Sequence, residues 1–190
     1  MNESNIGTEI KDTLPTNKKS PVTKYDSARN NLLIIVVLSL VNIGILLFGG
    51  DSYYVFCASI PYVVVDLAMY LCGKYPLEYY GLAEGEVVDF YGNEVFALLI
   101  VLALICIAAY VICYILSKKH VGWMIFALIF FACDTVFTLY WWGINLNNAL
   151  DILAHGWILV SMVLGLVYYY KQKKQNEEEF PVDNEPTFEE

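Results

Sequence analysis

The chain is expected to fold as an all-α integral membrane protein. The expected form is a bundle of four full transmembrane helices plus one re-entrant or interfacial hydrophobic segment, with five full spans as the alternative. Three observations predict it. Of 190 residues, 58% are apolar or aromatic and only 16% are charged, against about 25% charged in an ordinary soluble domain. The mean hydropathy is +0.52. The apolar residues gather in five runs, and three of the four links between them are short and polar. So few charges do not cover a water-exposed surface, which excludes a disordered protein and most soluble enzymes.

Residues 1–29 are polar, with Pro15, Pro21 and scattered Ser, Thr and Asn. They lack periodicity and are expected to form a disordered cytoplasmic tail. The tail is too long and too acidic for the start of a signal peptide, and no small-residue cleavage site follows the first apolar run. That run is therefore expected to stay in the protein.

The five runs are 32–48, 53–72, 95–116, 121–142 and 152–170. A membrane span needs about 20 predominantly apolar residues. The last three runs meet this, and the first does if Asn30 and Asn31 form its interfacial start. The second run carries Ser59, Pro61 and Asp66 and is the weakest spanning candidate. The bundle domain is thus expected over 30–170. Asp51 or Ser52 is available to cap the second helix. The links at 117–120 and 143–150 are short enough to force antiparallel neighbours. The exception is 73–94, an acidic, Tyr- and Gly-containing loop around Pro76 that suits one membrane face and an interfacial helical turn. Residues 171–190 start Lys171-Gln172-Lys173-Lys174 and then turn acidic, and are expected to form a disordered acidic cytoplasmic tail. The basic start can touch anionic lipid.

Orientation follows from where the cations sit, because Lys and Arg near span ends favour the cytoplasm. Lys118 and Lys119 place the link between the third and fourth runs inside, and Lys171, Lys173 and Lys174 agree. The acidic loop is then outside. Lys24 and Arg29 also argue for an inside N-terminus, which requires the second run to enter and return or to lie at the interface. Irregular backbone at membrane depth is tolerated where protein or a wet cavity covers it. Trp123 and Tyr168–Tyr170 fall at the expected inner interface, and Tyr140–Trp142 at the outer one. A bacterial-type plasma membrane suits the short loops.

Few ionisable residues lie in the apolar runs: Asp66, Asp134, Asp151 and His155. A charged Asp at a span centre costs about 2.5–3.5 kcal/mol, so such residues face the bundle interior and are functional candidates. In an antiparallel hairpin, residues at equal depth keep a constant index sum. That pairs Asp134 with His155 and Thr138 with Asp151, each pair four residues from the other along its helix and so on one face. Asp66 and Asn42 reach similar depth, and an outer cluster of Asn42, Asp66, Asp134, Asp151 and His155, with Thr138, is the candidate intramembrane polar site.

Three roles suit such residues. Interhelical hydrogen bonding alone is the plainest. A binding or proton-relay site in a transport or channel subunit is the second. A metal-dependent intramembrane enzyme using Asp134 and His155 is the third, although HExxH is absent. Neither a GxSxG, a Walker A nor a GxGxxG pattern occurs, no catalytic residue is assigned and no cofactor is expected. Phe126, Phe130, Phe131 and Phe137 suit packing. The five cysteines lack metal-ligand spacing and suit buried thiols, with one Cys57–Cys72 disulfide left open. No basic patch tracks a phosphate backbone, so nucleic acid is not an expected partner. The expected partners are the lipid bilayer and a membrane protein or a second copy. The leading expectation is a non-enzymatic accessory, sensing or transport subunit with an outward-facing polar pocket.

Overall fold

The computed structural model describes residues 21–50, 53–82, 88–146 and 148–179. The expected disorder of residues 1–20 and 180–190, the Asp51 or Ser52 cap, and Glu84 and Glu86 of the acidic loop lie outside the described residues. Among the described residues the fold is all-helical: α1 (Pro21–Leu47), α2 (Ser59–Leu71), α3 (Asn93–Leu116), α4 (Gly122–Trp142) and α5 (Ala149–Glu179). A 3-10 turn, Leu77–Tyr80, interrupts the loop between α2 and α3, where an interfacial helical turn is expected.

Four helices, α1, α3, α4 and α5, are long and apolar enough to cross a membrane. The fifth, α2, has 13 residues. At 1.5 Å per residue it is about 20 Å long, short of the roughly 30 Å hydrocarbon core.

Each long helix buries one stripe and leaves the rest of its apolar surface open. α3 buries Ala103, Ile107, Tyr110 and Cys113, a three-and-four spacing that keeps one face inward. Its other faces expose Leu98, Val101, Leu102, Leu104 and Ile105. α4 buries Met124, Ala127, Phe131, Asp134 and Thr138 on the same rule. Apolar surface on all sides of a helix suits lipid, whereas a water-soluble monomer rarely exposes patches of this extent.

The long helices alternate in direction. α1 and α5 run antiparallel: Tyr25 meets Tyr169, Ala28 meets Gly165 and Asn31 bonds Ser161 at 2.7 Å. Gly165 matters here, because a Cβ at that position would collide with the Cβ of Ala28. α1 packs on α3 and α5, and α4 also packs on α3 and α5, so α1 and α4 stand diagonally. The start of α1, the α3–α4 link and the end of α5 share one end of the bundle. Lys24, Arg29, Lys118, Lys119, Lys171, Lys173 and Lys174 lie at or near that end. α2 packs between α1, α3 and α4 toward the opposite end.

The helix boundaries differ from expectation at both ends. Residues 21–29 belong to α1 and 171–179 to α5, where polar tails are expected. Long-range bonds recruit the first stretch: Tyr25 donates to the Ser117 carbonyl at 2.9 Å. Arg29 is 8% exposed and donates to Ser117 Oγ and to the Tyr114 carbonyl, each at 3.0 Å. Its guanidinium thus satisfies carbonyl-end groups of α3, where a cation is favoured. The second stretch is extended by the i,i+4 pairs Lys173–Glu177 and Lys174–Glu178 at 3.7 Å.

All five cysteines are free. Cys57 and Cys72 flank the two ends of α2, which puts them beyond disulfide reach. α2 stops at Cys72 and Gly73. Gly73 has φ 63°, and a Cβ there would strike the Phe90 ring, so both backbone and packing require glycine.

Candidate functional site

The site is built around the start of α2. Residues 53–58 are irregular, and Phe56 holds φ 70°, a conformation that a bulky side chain rarely adopts. Buried irregular backbone must find partners for its N–H and C=O groups. Asn42 of α1 supplies both for Tyr54: its Oδ1 accepts from the Tyr54 N–H at 2.9 Å, and its Nδ2 donates to the Tyr54 carbonyl at 2.7 Å. Ser39 Oγ, one turn earlier on α1, accepts from the Ala58 N–H at 2.8 Å.

Asp134 of α4 completes the set. Its two carboxylate oxygens accept from the Ser59 N–H at 2.9 Å and the Ile60 N–H at 2.8 Å. The next residue, Pro61, has no N–H. The unpaired donors at the start of α2 are therefore all accounted for, two by a carboxylate from another helix. A negative charge at a helix N-terminus is also favoured by the aligned peptide dipoles.

His155 of α5 stands beside this cap. Its Nε2 is 3.4 Å from Asp134 Oδ2 and its Nδ1 is 3.5 Å from Asp151 Oδ1. Nδ1 also lies 2.8 Å from the Asp151 carbonyl oxygen. The imidazole is fully buried and stacks on the Phe131 ring at 5.1 Å with the planes 2° apart. Phe131 is thus packing, and it fixes the plane in which both ring nitrogens face carboxylates. Asp151, His155 and Asp134 thus stand in a row that ends on the first turn of α2, with His155 Nε2 within ion-pair distance of Asp134 but not hydrogen-bonded to it.

The expected pairing of Asp134 with His155 is therefore present, and Asn42 reaches the same region. Thr138, expected at the depth of Asp151, makes its hydrogen bond within its own helix. It donates to the Asp134 carbonyl at 2.8 Å, because a threonine hydroxyl in a helix reaches its own preceding turn. Asp66 does not join the cluster. It lies near the other end of α2 and accepts a hydrogen bond from the Tyr75 hydroxyl. Burial and that bond to Asp66 push the Tyr75 hydroxyl well above its ordinary value.

Several members of the site carry no signal in the sequence. Ser39, Tyr53 and Cys57 give no sign of this role in their runs; the hints are Ser59 and Pro61, which interrupt the second run, and Pro61 suits the first turn of a helix. Tyr53 Oη and Cys57 Sγ lie 3.0 Å apart. Ser59 Oγ and the Tyr110 hydroxyl are buried without a hydrogen-bond partner.

A cavity of about 600 Å³ opens above the cluster. Tyr53, Tyr62, Trp142, Asn148, Leu150 and Asp151 are among its lining residues. Asp151 thus lines the cavity and contacts His155 at once. Among the described residues, no three His, Cys, Asp or Glu side chains come together in a way that holds a metal ion. No protein-family model, no curated protein and no solved structure gives a significant match to this chain.

Proposed function

We propose that the protein is a polytopic membrane component of non-enzymatic type, an accessory, sensing or transport subunit with an outward-facing polar pocket. In this reading α1, α3, α4 and α5 span the bilayer, and α2 with its lead-in 53–58 is a re-entrant segment on the outer side. The clustering of basic residues at one end of the bundle supports placing that end, with both ends of the chain, in the cytoplasm. A plasma membrane suits that arrangement, and the lipid bilayer and a second membrane protein or second copy are the partners it calls for.

The observation that carries the reading is the double position of Asp151. A charge entering the cavity meets Asp151, and through His155 it acts on Asp134, which holds the first turn of α2. A ligand or proton at the outer face is thereby coupled to the placement of a short helix, which is what a sensing or transport subunit requires.

The test is labelling of intact cells with a membrane-impermeant maleimide. Leu150→Cys, at the cavity rim, gains label over the parent chain, whereas Lys119→Cys gains label only after the cells are opened. The reverse pattern overturns the orientation, and no gain at Leu150→Cys in either state overturns the open pocket. Co-purification in mild detergent then separates a subunit of a larger complex from a self-sufficient protein.

A further inference from the structure

We infer that the cavity above Asp151 is a binding site for a small organic cation, an ammonium group carried on an apolar or aromatic body. The inference rests on the cavity being open to the outer side, as proposed above, and adds the class of ligand.

Three features of the walls select this class. The first is aromatic surface. Tyr53 and Tyr62 meet edge to face, with ring centres 5.1 Å apart, and Trp142 lines the same space. Ring faces attract cations, and attract them more strongly where water is partly excluded. The second is a carboxylate that neither a lysine nor an arginine neutralises. The Asp151 side chain is 9% exposed, its Oδ1 is buried without a hydrogen bond, and its one ion-pair partner, His155, is shared with Asp134. Two carboxyl groups thus stand against a single imidazole. The third is what the walls omit. Among the described residues that line the cavity there is no lysine or arginine. Lys74, the one described Lys or Arg in the α2–α3 loop region, is engaged with Asn93 Oδ1 at 3.0 Å. An anion therefore finds no counter-charge here.

The same walls disfavour a bare metal ion. Divalent cations take several oxygen ligands in close array, and this cavity offers one carboxylate and the amides of Asn145 and Asn148, whose oxygens each already accept from the other residue's main-chain N–H. A volume of about 600 Å³ sits within the range of sites that enclose whole small molecules. An ammonium at Asp151 sets its apolar part against Tyr62, Trp142 and Leu150.

The experiment is isothermal titration of the full chain in nanodiscs of zwitterionic lipid. The probes are benzyltrimethylammonium, benzoate, benzyl alcohol and magnesium chloride. The expected result is saturable heat with benzyltrimethylammonium alone. Asp151→Asn weakens binding about thirtyfold or more, since it removes the one charge facing the ligand. Trp142→Leu, at a half-exposed position that does not endanger folding, weakens it about 2- to 30-fold. Equal binding of benzoate, benzyl alcohol or magnesium overturns the inference. So does cation binding that neither variant changes, which would mark adsorption to lipid. No heat with any probe, while Leu150→Cys is labelled from outside, overturns the ligand class and leaves the open pocket standing. No heat together with an unlabelled Leu150→Cys overturns both.

Discussion

Asp134→Asn is the substitution that most directly tests how α2 is held. The carboxylate accepts two main-chain N–H groups, from Ser59 at 2.9 Å and Ile60 at 2.8 Å. An amide in its place keeps one oxygen and turns an NH₂ group toward the second N–H, donor against donor. A hydrogen bond to a charged group is worth about 1.5–3 kcal/mol, and an orphaned buried donor costs about 1–3 kcal/mol. These are two views of one loss, so the first turn of α2 is expected to weaken by about 2–3 kcal/mol. At 1.4 kcal/mol per factor of ten, the Ser59 and Ile60 amides then exchange with solvent about 30- to 150-fold faster. Hydrogen–deuterium exchange of the full chain in nanodiscs reads this directly. Amides in the first half of α4, far from Asp134, provide the unchanged reference. Asp134→Leu, which removes both acceptors, accelerates exchange further. If Asp134→Asn speeds the two amides less than about threefold, the carboxylate is not what holds the start of α2, and the coupling from Asp151 to α2 fails with it.

Two further outcomes follow from packing. Gly165→Ala drives a Cβ into Ala28 of α1 and is expected to destabilise the α1–α5 contact by about 1–3 kcal/mol. Gly156→Ala, with open space around it, loses nothing; unfolding in mixed micelles compares the two, and equal effects refute the close approach. Arg29→Lys gives up the paired bonds to Ser117 Oγ and the Tyr114 carbonyl, because an ammonium does not reproduce the planar fork. A loss of about 1.5–3 kcal/mol is expected, and a change below about 0.5 kcal/mol on the same assay would show that Arg29 is a bystander.

The parts of the fold that repeat along a helix were legible in the sequence. Asp134 and His155 could be paired because both lie on regular helices joined by a short link, so index and depth are the same information. The short second run could be singled out because Pro61 and Asp66 interrupt its apolar pattern. What escaped was everything set by contacts distant in sequence. Residues 21–29 look like a polar tail, and only the bonds from Tyr25 and Arg29 to the end of α3 show why they are helical. Asp66 has the same polarity and much the same apparent depth as Asp134. Its partner Tyr75 sits in a loop where depth cannot be counted from helix rise. Ser39 and Asn42 are a turn apart on α1, yet their targets are main-chain groups of an irregular segment, and main-chain geometry leaves no trace in residue identity.

The cap on α2 also orders the birth of the protein. Ser59 and the carboxylate that receives its N–H are 75 residues apart. At about 5–20 residues per second, a ribosome makes Asp134 about 4–15 s after Ser59. Throughout that interval the start of α2 has no acceptor on α4, and the segment is too short to settle across the hydrocarbon unaided. Its seating therefore waits until α4 has been made, and until then only α1, through Ser39 and Asn42, holds the lead-in to α2.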